Sequence, residues 1–178
     1  MISFAKLAPC ACRIGQEAFI ELYLDAFTTG QYAQHITPEQ ARETLARLMA
    51  EGWGIVARDE ERPVGCVWAF DAIHLPAHEL DPTFDYASPG KTLYIAEVMV
   101  ASRYRGLGIA KTLIADLLCQ ATLNYTEALI RVWDTNIPAL NLYRQMGFEP
   151  TGGRISQTKY RNEDEMFVMN KLYLHKKL

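Results

Sequence analysis

LYIAEVMVASRYRGLGIAKTLI, residues 93–114, is the stretch whose reading decides the fold. Its first nine residues are β-rich and, apart from Glu97, apolar, and they predict a strand. They run into a basic glycine turn, RYRGLG (103–108), and then into IAKTLIADLLCQA (109–121). In that last segment Ile109, Leu113, Leu117 and Ala121 follow a spacing of four, with Ile114 and Leu118 beside them, as on the buried face of a helix. A helix N-terminus presents unpaired N–H groups and about half a positive charge, so it suits phosphate oxygens. Gly106 and Gly108 remove side chains where a ligand must approach the backbone. Arg103, Arg105 and Lys111 add positive charge, with no acidic residue between 103 and 111. The turn therefore reads as an anion site built from backbone and side chains together.

Two phosphate motifs are excluded by spacing. A P-loop ending in Lys111-Thr112 needs glycines at 105 and 110, which are Arg105 and Ala110. A dinucleotide fingerprint beginning at Gly106 and Gly108 needs a small residue at 111, which is Lys111.

Nearer the N-terminus, residues 15–28 place Phe19, Leu22, Tyr23, Ala26 and Phe27 at helical spacing. Thr37-Pro38-Glu39-Gln40 opens a second helix, with Thr37 as N-cap and Gln40 completing a capping box. WGIVAR (53–58) and VGCVWAF (64–70) predict a hairpin around DEERP. Residues 71–92 read as a long loop broken by Pro76, Pro82, Pro89 and Gly90, with Asp71, Glu79, Asp81 and Asp85 against Lys91. Beyond the glycine turn and its helix, ALIRVW (128–133) predicts a strand. The next helix begins near Asp134 to Asn136 and stops at Gly147, and GGRISQTKY and EMFVMNKLYL form a final hairpin around RNEDE. The order of elements predicts an α/β sheet with helices packed on it.

The turn Arg103-Tyr104-Arg105-Gly106-Leu107-Gly108 resembles the Arg/Gln-x-x-Gly-x-Gly/Ala motif of the GCN5-related N-acetyltransferases (GNAT). The likeness extends to Asn136, Ala139, Leu142-Tyr143 and Gly147-Phe148, and to a closing hairpin with strands near Tyr160 and Met169. It covers nearly the whole chain except residues 71–92. The resemblance implies a single domain over 1–178, with a mixed, mostly antiparallel central sheet and helices on both faces. It implies acetyl-CoA as the acyl donor, with backbone amides of Arg103, Arg105, Gly106, Leu107, Gly108, Ile109, Ala110 and Lys111 on its pyrophosphate. It also implies that Val98, Met99 and Val100 pair with the pantetheine arm, and that Asn136 and Ala139 lie beside it.

Acetyl transfer to an amine needs a base, because an alkyl ammonium has a pKa of about 10.4. Glu97 interrupts an otherwise apolar strand where the family often places an acidic residue, which makes it the candidate base. Facing solvent on an edge or pairing with an arginine is its alternative role, and alternation cannot settle the face if a bulge interrupts the strand. Tyr143 matches the family tyrosine that donates to the CoA sulfur; otherwise it is a core aromatic. A backbone N–H of Met99 or Val100 would polarise the carbonyl. An acidic 71–92 loop, together with TTGQYAQH (28–35), would bound the acceptor and favour a cationic amine such as a polyamine, a lysine or a peptide N-terminus.

Composition agrees with one globular domain: 178 residues, 49% apolar and 22% charged. Eighteen basic and twenty-one acidic residues give a net charge of -3, without the cationic field of a nucleic-acid binder. No apolar run reaches membrane-spanning length. Cys10, Cys12, Cys66 and Cys119 lack structural-zinc spacing and read as reduced, with Cys119 in the core; a cytoplasmic location is expected. Pro76 argues against a helical metal pair of His74 and His78, and no metal is expected. Homodimerisation through the apolar last strand stays open. The alternatives are a noncatalytic acyl-CoA sensor, a transferase for another acyl-CoA, and a nucleotide binder.

Overall fold

A computed structural model of the protein describes residues 1–7, 16–84 and 90–178. Eleven regular strands and helices follow one another in the described residues: β1 (Ile2–Leu7), α1 (Gln16–Thr28), α2 (Pro38–Glu51), β2 (Trp53–Asp59), β3 (Arg62–Asp71), β4 (Thr92–Val100), α3 (Ile109–Ala121), β5 (Glu127–Trp133), α4 (Ile137–Gln145), β6 (Glu149–Tyr160) and β7 (Met166–Lys177). The local signals act where the sequence puts them. Thr37 accepts from the Gln40 N–H while the Gln40 side chain accepts from the Thr37 N–H, closing the capping box. Asn136 caps α4 by accepting from the Ala139 N–H. Gly147, at φ +85°, lets the Phe148 N–H return to the Tyr143 carbonyl, which ends α4.

The strands form one mixed sheet of seven in the order β1-β2-β3-β4-β5-β7-β6. Every neighbouring pair is antiparallel except β4 and β5. β1 escapes the sequence reading because its ISFAKL has no sustained alternation; it is an edge strand held by its pairing with β2. The long segment before β4 contains two short 3-10 turns, Ala72–His74 and Ala77–Glu79, placing His74 and His78 in separate turns on either side of Pro76.

Each face of the sheet carries its own core. Phe19, Leu22 and Tyr23 of α1 and Leu45 and Leu48 of α2 pack with Trp68, Phe70, Met99 and Tyr173 on one face. Leu113, Ile114 and Leu117 of α3 and Leu140 of α4 pack with Val67, Leu93, Ile95 and Leu174 on the other. Complete burial of such side chains contributes roughly 1.5–3 kcal/mol each, which is what clamps helices to both faces. Cys119 corrects the reading that put it in the core: it is exposed, because at about 100° per residue it points away from the Leu113, Leu117 and Ala121 stripe. Cys66 is buried, its thiol directed at the Val67 carbonyl, and Cys10 and Cys12 lie outside the described residues.

Two features set the course of β4. Its parallel pairing with β5 runs only from Thr92↔Glu127 to Ile95↔Ile130, after which the strands part and β5 continues against β7. Its pairing with β3 shifts register between Trp68↔Glu97 and Ala69↔Ile95, so Ala96 is an extra residue in β4.

Candidate active site

The parting of β4 from β5 opens a cleft of about 650 Å³. Its walls come from the end of α1 and the segment after it (Tyr23, Phe27, Thr29, Gln31, Tyr32, Gln34), from β4 and β5, from α4, and from β6 and β7. Of the residues singled out in the sequence, Glu97, Val98, Val100, Arg105, Ala110, Asn136, Ala139 and Tyr143 line it.

The bulge decides where Glu97 points. Strict alternation would put Glu97 on the face of Leu93 and Ile95, towards α3. One extra residue reverses the parity, and Glu97 shares the face of Tyr94 and Met99, towards α1 and α2. There its charge acts on groups from four elements that line the same cleft: Tyr23 of α1, Tyr94 of β4, Tyr143 of α4 and Lys171 of β7. Burial pushes Glu97 above the ordinary carboxylate range, opposed by the charges of Lys171, Lys159, Arg131 and Arg47. Burial, and then the charge of Glu97, push Tyr143 up, so its hydroxyl stays protonated and able to donate. Tyr143 is packed edge-on against Phe148 at 6.1 Å, and the end of α4 fixes its backbone.

The same strand supplies backbone groups. The Ala101 N–H donates to the Val64 carbonyl, and the register continues through Gly65↔Val100 and Cys66↔Met99. Antiparallel ladders alternate, so Met99 turns its N–H and C=O towards β3, whereas Val98 and Val100 turn theirs to the other side, where β5 has parted. Between the two donors named from sequence, the ladder excludes Met99, retains Val100 and adds Val98. The Met99 side chain is fully buried in the core.

At the other end of the cleft lies the glycine turn. Gly106 and Gly108 both have φ +78°, a conformation that disfavours other residues, and an added Cβ at either would meet nothing within 4 Å. Gly108 caps α3 with no side chain, and the first bond of the helix is from the Thr112 N–H to the Gly108 carbonyl. The N–H groups of Ile109, Ala110 and Lys111 in the first turn are thus left without helical acceptors. Leu107, Arg103 and Lys111 are exposed around this turn, and the Ile109 side chain is buried beneath it. The Arg105 guanidinium, counted in the sequence among the positive charges of the turn, donates to the Ala26 carbonyl at 2.8 Å and ties the turn to the end of α1. Asp25, absent from the sequence reading, makes a second tie by accepting from the Ser102 N–H and hydroxyl at 2.6 and 2.9 Å.

The described part of the acidic loop corrects another expectation, for it does not line the cleft. Asp71 accepts from the Ile73 N–H, and Asp81 is buried and bound by Thr83 and Thr151. Glu79 accepts from Arg131 at 2.7 Å. Asp85 lies outside the described residues.

Sequence reasoning missed Arg131, Lys159 and Lys171, which line the acceptor side. A signal existed: on its alternating face of β7 Lys171 falls between the buried Met169 and Tyr173, and on that of β5 Arg131 falls between Leu129 and Trp133, so each places a charge between apolar or aromatic neighbours.

A mixed sheet that parts between two parallel strands, with a glycine-capped helix N-terminus at one end of the opening, defines the acyl-CoA N-acyltransferase fold. The chain belongs to the Acetyltransferase (GNAT) family, whose family model matches residues 17–148. It is similar to rat N-acetyltransferase 8F1, 32% identical over 142 residues covering 76% of this chain and 59% of that protein. It is also similar to human N-acetyltransferase 8B, 35% identical over 98 residues covering 54% and 38%. The chain spans about half the length of the curated relatives that it matches. Among solved structures, Arabidopsis thaliana NAA60 in complex with a bisubstrate analogue superposes with a TM-score of 0.69 at 19% identity, covering 99% and 98% of the two chains. A GNAT family acetyltransferase from Elizabethkingia anophelis with acetyl-CoA bound gives 0.64 at 16% identity, covering 99% and 98%.

Proposed function

We propose that the protein is an N-acetyltransferase that passes the acetyl group of acetyl-CoA directly to an amine held in the same cleft. The observation that carries this reading is the convergence of a carboxylate, a protonated tyrosine and an unpaired strand edge on one opening, with free helix N–H groups at its end. The residues present fit the cosubstrate. Open space over Gly106 and Gly108 leaves the N–H groups around Gly108 to Lys111 accessible to a pyrophosphate, and Val98 and Val100 offer a strand edge to the pantetheine amides. Acetyl-CoA supplies the activated acetyl thioester.

The protein's own groups supply the rest. Glu97, with its pKa raised by burial, takes the proton that leaves the ammonium nitrogen as that nitrogen becomes nucleophilic. The Val98 or Val100 N–H donates to the carbonyl oxygen. The Tyr143 hydroxyl, held protonated, donates to the departing sulfur. A thiol with a pKa near 8.5 leaves readily without full proton transfer, so Tyr143→Phe is expected to lower kcat by only about tenfold. Single-turnover kinetics check this, and a loss of several hundredfold would assign Tyr143 a larger role.

Thermal unfolding tests the cosubstrate reading. At 100 times its dissociation constant acetyl-CoA should stabilise the protein by about 2.7 kcal/mol, whereas ATP and NAD at equal concentration should not. Stabilisation by ATP alone would reassign the glycine turn to a different phosphate.

A further inference from the structure

The charges on the acceptor side of the cleft point to more than an amine. Five charged side chains among the described residues line the cleft: Glu97 against Arg105, Arg131, Lys159 and Lys171. Arg105 serves the end of α1, leaving three cations from three adjacent strands, β5, β6 and β7. Lys171 stands opposite Trp133 on one side and Ile155 on the other, and Lys159 lies on the same alternating face of β6 as Ile155. Neither lysine forms a salt bridge among the described residues.

Arg131 supplies a second, independent observation. Its side chain is only 9% exposed; Nη2 donates to Glu79 at 2.7 Å and Nε to the Tyr94 hydroxyl at 2.6 Å. Its Nη1 is buried without a partner. A buried guanidinium donor left unmet is unfavourable unless a ligand or solvent group completes it, and buried polar groups are normally satisfied. Mutual repulsion also acts here: burial is the main force holding Lys171 down to about 8, with Arg131 and Lys159 adding to it and Glu97 opposing it. An anion placed among these three side chains relieves both the repulsion and the missing bond.

Beside the cations is an aromatic wall. Tyr32 meets Trp133 edge to face at 5.8 Å, and Phe167 lies 5.3 Å from the same ring. Glu97, the candidate base, lines the same cleft as these cations, so one small molecule can present its reacting nitrogen to Glu97 and an anion to the cations.

We propose that the acceptor is an α-amino acid with a large apolar side chain, its carboxylate held by Lys159 and Lys171 with Arg131 behind them and its side chain against Trp133. This deepens the acetyl-transfer reading and rests on it. It replaces the cationic amine (a polyamine, a lysine or a peptide N-terminus) expected from the acidic loop, because the described acids of that loop hold the fold together rather than the acceptor.

The test is a matched panel of phenylalanine, leucine, methionine and tryptophan, their amides and their decarboxylated amines. It is assayed by thiol release with acetyl-CoA. The expected result is a kcat/KM for at least one acid about tenfold or more above that of its amide and its amine. In the double variant Lys159→Gln/Lys171→Gln that ratio should fall to within about twofold of unity. A ratio is read because a general loss of activity or folding does not mimic it. Amides or amines that match their acids in the wild type, or an acid preference that survives the double variant, overturn the proposal. So does a panel with no acid turned over although acetyl-CoA still stabilises the protein. Loss of acetyl-CoA stabilisation itself overturns the underlying cosubstrate reading instead.

Discussion

Glu97→Gln is expected to lower kcat for amine acetylation by about 10²- to 10⁴-fold, the range that a positioned general base contributes. The substitution keeps the shape of the side chain and removes only its capacity to take a proton, so the acetyl-CoA thermal shift should persist. The direction of the Glu97 shift sets the pH dependence. Burial raises its pKa, so the carboxyl is protonated and inactive as a base at low pH. In the wild type kcat/KM should therefore rise with pH through a midpoint above the ordinary glutamate value, and that limb should vanish in the variant. What remains in the variant should climb only as the amine itself loses its proton, near pH 10 for an alkyl amine. A variant within threefold of wild type would remove Glu97 from the chemistry and leave it a buried cleft carboxylate.

The second large effect concerns stability. Glu79 stands in the segment that the sequence presents as a solvated acidic loop, yet its carboxylate is 16% exposed and bonded to an Arg131 side chain that is 9% exposed. The Tyr173 hydroxyl donates to the Glu79 carbonyl, so the same residue ties the loop to β7 through its backbone. Removing one partner of a buried pair leaves the other charge uncompensated, which costs about 3–5 kcal/mol. Glu79→Ala should fall near the lower end, because the Tyr94 hydroxyl still accepts from Arg131. At about 2–4 °C per kcal/mol for a chain of this size, a loss of about 3 kcal/mol lowers Tm by about 6–12 °C. Asp71→Ala is the internal comparison: Asp71 caps only a short 3-10 turn, and its loss should cost about 1 kcal/mol. Equal, small shifts for the two variants would mean that Glu79 is solvated after all.

Much of the fold was legible because its signals are local. The capping box at Thr37 and Gln40, the N-cap at Asn136, the stop at Gly147 and the four-residue stripe of α3 each act through residues within a few positions of one another. The glycine turn is legible for the same reason: φ +78° at Gly106 and Gly108 is a demand that consecutive residues can meet alone. β1 was not legible, since an edge strand with one well-buried residue owes its existence to the neighbour it pairs with.

The sequence by itself determined the class of fold, the helix N-terminus that suits a pyrophosphate and the two side chains nominated for chemistry, because short-range geometry and motif spacing suffice for these. Only the tertiary structure decided which way Glu97 faces, because one bulge residue at Ala96 inverts a parity that alternation alone would misassign. Only it decided the character of the acceptor side. Tyr32, Arg131, Trp133, Lys159 and Lys171 are dispersed over 140 residues of chain and meet because the sheet lays β5, β7 and β6 side by side. It likewise took Glu79 away from the surface and gave it to Arg131, since a charge is counted in sequence but its partner is chosen by packing.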